Sequence, residues 1–218
     1  MGTRRRSGGR GRVSRPTSKR NAPSGRRPSS GVLVVGAIVI AVLVAFFVAL
    51  IASLGGATEG VRATKPPWPP EYEHLRQRLD AMKLPPVGDE SYHVHALLHV
   101  YVNGQPVSVP ADVGIDASRG IEPSLHTHDT SGVIHMEAAH PYPFTLGEFF
   151  NVWGVRFSST QLGAYTDSGS ERVRVYVDGR PIGDPTSYVL KAHDNIVVAY
   201  GEPGSFPKEP SAAALKGL

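Results

Sequence analysis

The sequence predicts a mainly β (α+β) protein: a compact β domain of hairpins with one or two short helices, preceded by a single transmembrane helix. Three observations carry this. Residues 32–54 are 23 consecutive uncharged residues, interrupted only by Gly36 and Ser53, and as a helix they span roughly 30 Å of hydrocarbon. From Tyr92 onward the apolar positions alternate with a period of two, as in a strand with one buried face. The stretch VYVNGQPV at 100–107 returns as VYVDGRPI at 175–182, which points to a duplicated β unit or to a hairpin that arose twice.

Charge orients the chain. Of the 23 basic residues, ten lie in 1–31, where there is no acid; the other 13 share the rest of the chain with all 19 acids. Positive charge stays on the cytoplasmic side of a span. Residues 1–31 therefore read as a disordered cytoplasmic tail and the C-terminal part as extracytoplasmic, anchored in the plasma membrane by 32–54. The apolar run is too long for the core of a cleavable signal peptide. The expected partners are the bilayer itself and, through the basic tail, anionic lipid headgroups. Nucleic acid is disfavoured, because the tail has no aromatic side chain to stack on a base. The absence of cysteine excludes disulfide scaffolds, thiolate zinc sites, iron–sulfur clusters and cysteine nucleophiles.

Residues 55–91 read as a linker. Thr64–Pro70 is a polyproline-like spacer, followed by a short amphipathic helix over 71–84. Tyr72, Leu75, Leu79 and Met82 share one helical face, and Pro85-Pro86 stops it. The β domain covers 92–201. Val94, Ala96, Leu98, Val100 and Val102 form one face of a first strand, and His93, His95 and His99 project from the other. Asn103-Gly104 is a two-residue hairpin signal, which sets Val102 opposite Gln105, Val100 opposite Val107 and Leu98 opposite Val109. A second hairpin at 125–137 turns at Asp129–Gly132. That turn sets His126 opposite His135 and His128 opposite Val133, all on one face. Thr145 and Glu148 form a capping box, with Phe144 and Phe149 at the staple positions, and Gly154 ends this helix. Further strands are expected at 155–158, 172–177, about 187–190 and 195–200. Residues 202–218 read as a flexible tail.

Seven of the nine histidines lie between 93 and 140. Six fall into two strand-spaced sets, His93/His95/His99 and His126/His128/His135. An H-x-H pair on a strand points two imidazoles into one space, and a neighbouring strand can add a third; neutral imidazole is the commonest metal ligand. All six are candidate ligands for a transition metal, zinc or copper first, and no nucleotide or organic cofactor is indicated. Asp129 and Glu137 are candidate outer partners or general bases. The second hairpin has Arg174 where the first has His99, so the hairpin scaffold does not require a histidine there. His140 and His193 read as loop and turn residues.

HVHALLHVYVNG, VPADVGI, LHTHDTSGVIHME and FTLGEFFNVWGV resemble the signature blocks of an uncharacterised group of bacterial and archaeal membrane-anchored, extracytoplasmic, histidine-rich proteins. The resemblance covers about 92–201 and implies the same location, with no settled activity. The H-x-H runs also resemble two metalloenzyme patterns, but the fit fails. Copper/zinc superoxide dismutase needs a disulfide that is impossible here, and the metallo-β-lactamase H-x-H-x-D-H departs at Asp129, which follows His128 directly. Three functions stay open: metal handling or metal-dependent assembly at the cell surface, a hydrolytic or redox enzyme with a three-histidine centre, and a metal-free interaction module with hydrogen-bonded or pH-sensing histidines.

Overall fold

The computed structural model describes residues 58–218, together with Gly2, Val39, Ile40 and 42–44. The basic tail and most of the 32–54 segment lie outside the described residues; Val39, Ile40 and 42–44 are helical. Among the described residues no helix is long and apolar enough to cross a membrane. The chain divides into a unit of Met1–Val44 and a unit of Ala45–Leu218, and the second carries the fold described here.

Its centre is β1 (Tyr92–Val102), which returns through β2 (Gln105–Val107). Asn103 and Gly104 both adopt positive φ, 49° and 78°, as a type I′ turn requires. The pairs Val100–Val107 and Val102–Gln105 form as the sequence predicts. The second copy, β7 (Arg172–Val177) and β8 (Arg180–Pro181), repeats the turn with Asp178 and Gly179 at 49° and 73°. Between the copies lies β9 (Asn195–Gly201), parallel to β1 and antiparallel to β7. Val198 pairs with both Val100 and Val175, the equivalent residues of the two copies.

On the other side of β1 lies β4 (Val133–Ala138), and outside it β3 (Leu125–His126). The sheet therefore runs β3-β4-β1-β9-β7-β8, with β2 also paired to β1. It is mixed, whereas hairpins alone would give only antiparallel pairs. Gly132 lets β4 close on β1. Its φ is 85°, and a Cβ there would lie 2.3 Å from the Leu98 carbonyl oxygen.

The expected strand at 155–158 is reduced to isolated bridges, Arg62 with Val155 and Phe157 with Leu162; that at 187–190 is a single bridge, Thr145 with Val189. A small hairpin the sequence did not signal, β5 (Gln161–Leu162) and β6 (Tyr165–Thr166), forms instead. Helix α1 covers Leu75–Met82 and α2 covers Leu146–Trp153. The capping box of α2 forms: the Glu148 amide donates to Thr145 Oγ1 and the Thr145 amide to Glu148 Oε2. Both helices pack on the aliphatic sheet face, where Ala96, Leu98, Val100 and Val102 meet Leu75, Phe149, Phe150 and Trp153.

The polyproline-like segment is docked on this body. Trp68 is 1% exposed, packs edge-on against Trp153 at 5.9 Å, and its carbonyl accepts from Trp153 Nε1. The loss of aromatic surface to water drives this docking, which polyproline geometry alone does not reveal. Residues 202–218 also depart from the expectation of a flexible tail. They cross the second sheet face, where Phe206 stacks on Tyr101 and packs on Tyr176, Val197 and Ala199. Leu215, in a 3-10 turn at Ala213–Leu215, covers Leu97 and Val133. This explains β9: all seven of its residues are buried, as in a strand covered on both faces.

Candidate metal centre

The site lies on the second face, at the β3-β4-β1 end. In the ladder His95 pairs with His135, and His135 pairs with His126. The three Cβ atoms therefore stand in a row across three strands, each about 5 Å from the next. One pleat along, His93 pairs with Glu137. His128 continues from the end of β3 onto the same face, its Nε2 3.1 Å from His126 Nε2. Ring centroids of His135 lie 4.5 Å from both His95 and His128, and 5.3 Å from His126. The two histidine sets thus merge around His135 into groups that could hold a metal ion: His126, His128, His135 and Glu137, and overlapping it His93, His95 and His135.

Glu137 is the residue sequence reasoning underrated. It is buried, and its Oε1 lies 3.1 Å from His93 Nε2, 3.2 Å from His135 Nδ1 and 3.7 Å from His126 Nε2. It is a member of a group that could hold a metal ion. The signal was present: Glu137 follows His135 by two and so shares its face. Around the cluster, His126 Nδ1 lies 2.8 Å from the Pro123 carbonyl. A carbonyl only accepts, so Nδ1 carries the proton and the Nε2 lone pair faces the cluster. Glu90 Oε2 lies 3.9 Å from His93 Nδ1.

His99 is not brought in. It is four residues from His95, about 13 Å along the strand. Leu97, Val133 and Leu215 occupy the intervening surface. Burial depresses its pKa, partly offset by the Asn195 side chain. Asp129 holds the turn, its Oδ1 accepting from the Ser131 amide at 2.8 Å and from the Ser131 hydroxyl. These bonds keep its carboxyl below the usual range. His140 is exposed in a bend, and His193 sits in the turn before β9, donating its backbone N–H to the His95 carbonyl.

The electrostatics favour neutral rings. Burial, then repulsion from His95, His126 and His128, pushes His135 down to about 4, against the pull of Glu137. Burial is also the largest cause of the lowered pKa of His95 and of His126. Unprotonated imidazole is the metal-binding form. His126 is fully buried whereas His93 and His128 are exposed, so the cluster has a closed floor and an open mouth.

A third acid–histidine group, Glu71, Glu73 and His74, is engaged otherwise: the Glu71 carboxylate pairs with the fully buried Arg78. No protein-family model, curated protein or solved structure matches the chain.

Proposed function

We propose that the chain is a single-pass membrane protein whose outward-facing β domain binds a transition metal, zinc or copper, for metal handling or metal-dependent assembly at the cell surface. The observation that carries the metal reading is the convergence of five imidazoles and one buried carboxylate on one patch, from three strands. Their separations support it. Ligands about 2.0–2.1 Å from a tetrahedral metal lie about 3.3–3.4 Å from one another; four of the donor pairs here are 3.1–3.7 Å apart, and within each group the donor atoms all lie within 4.8 Å of one another. The open mouth at His93 and His128 suits exchange of metal with the surroundings. The 23-residue apolar run and the ten preceding charges support the anchored, outward orientation.

The enzyme reading needs a base beside the metal and free of it. Glu137 lies against three imidazoles and Asp129 holds the turn, which favours binding over catalysis. The test is equilibrium dialysis of the full chain in detergent against Zn²⁺ or Cu²⁺ at about pH 7.5, followed by elemental analysis. Retained metal is expected, with His126→Ala and His135→Ala each lowering affinity at least about tenfold and His193→Ala leaving it unchanged. Metal at background level would overturn the reading and leave a hydrogen-bonded histidine cluster.

A further inference from the structure

We infer that the cluster is a dinuclear centre, with Glu137 bridging one metal held by His93 and His95 and a second held by His126 and His128. This rests on the metal-binding reading. The donors form two overlapping sets, His93, His95 and His135 on one side and His126, His128, His135 and Glu137 on the other, and Glu137 of the second set also lies 3.1 Å from His93 of the first. Each set has its own pair, with ring centroids 4.7 Å apart for His93 and His95 and 4.6 Å for His126 and His128, and His135 stands 4.5 Å from one member of each, His95 and His128. His95 and His126 lie on strands with β4 between them, so their backbones are two strand spacings apart, roughly 9.6 Å. A single tetrahedral ion uses four donors and leaves part of this patch without a metal.

What links the pairs is β4. Glu137 Oε1 lies 3.1 Å from His93 Nε2 on one side and 3.7 Å from His126 Nε2 on the other, so a single carboxylate oxygen faces both halves. Paired metals lie about 3.5–4 Å apart, within reach of one carboxylate. His135, equidistant from His95 and His128, completes either sphere. Glu90 stands behind His93, and Glu137 is between the halves.

The experiment is metal counting with a spectroscopic check, on the full chain in detergent. Zn²⁺ dialysis followed by elemental analysis should give two equivalents per chain. Loading with Cu²⁺ should give an electron paramagnetic resonance spectrum with the half-field transition of a coupled spin pair. His93→Ala/His95→Ala and His126→Ala/His128→Ala should each retain one equivalent and lose the coupling. Glu137→Gln should lose the coupling, whereas His193→Ala should keep both features. One zinc per chain overturns the dinuclear centre and leaves metal binding standing; none overturns both. Two Cu²⁺ without coupling also overturn it, since independent sites would then account for the count. The wild-type measurements decide the matter even if a variant fails to fold.

Discussion

Arg78 shows how much a single side chain can hold in this fold. It is fully buried, and its guanidinium donates to the carbonyls of Asn151 at the end of α2, of Glu59 and of Glu71, while also pairing with the Glu71 carboxylate. A cation at a helix C-terminus is favourable, and the planar fork serves several acceptors at once. Arg78→Met should therefore leave a half-buried carboxylate without its cation and several carbonyls without donors. It is expected to cost about 3–5 kcal/mol, and Arg78→Lys most of that, read from urea denaturation midpoints. His135 gives a second residue-scale expectation. Its folded pKa of about 4 lies below the roughly 6.5 of an unfolded histidine. Between these values the unfolded chain binds more protons, so acid favours unfolding. In metal-free protein the urea midpoint should fall as pH drops from about 7 toward 4, and His135→Gln should flatten that dependence. A midpoint unchanged across this window would mean that the ring is not held neutral by the fold.

At the scale of elements, the C-terminal segment and β9 depend on one another. Val197 and Ala199 face away from the helices and lie under Phe206. Phe206→Ala should cost about 1.5–3 kcal/mol from lost burial, measured as a shift of the thermal or urea midpoint. A flexible tail would give a change within about 0.5 kcal/mol. The strand faces make a paired prediction. Leu98 is 1% exposed in the main core, so Leu98→Ala should cost about 2–5 kcal/mol. His99→Ala, on the opposite face, should cost much less in metal-free protein. The capping box, both type I′ turns and the His126–His135 register were legible in the sequence, because each is set by residues within one turn of chain. The docking of Trp68 and Phe206 was not, because flanking Pro, Gly and Ser look the same whether or not their aromatic finds a surface.

At the scale of the whole molecule, the proposed orientation has a direct check. A reporter active only outside the cytoplasm, fused after Leu218, should be active, and a cytoplasm-only reporter at the same position should be silent. The opposite pattern would remove the surface-facing role while leaving the metal centre untouched.

The amino-acid pattern by itself determined the mainly β character, the aliphatic face of β1, the two copies of the hairpin and the strand spacing of the histidines. Period-two alternation and Asn-Gly or Asp-Gly turns act locally, so they can be read without a partner strand. Only the tertiary structure decided which edges meet. Backbone hydrogen-bonding edges carry no side-chain label, so the parallel pairing of β1 with β9 and the placement of β4 beside residues 92–97 follow from how the whole chain covers its apolar faces. That choice joined two histidine sets into one cluster, drew Glu137 into its centre, and left His99 beyond Leu97 and Val133, although its spacing in the sequence is as regular as that of the others.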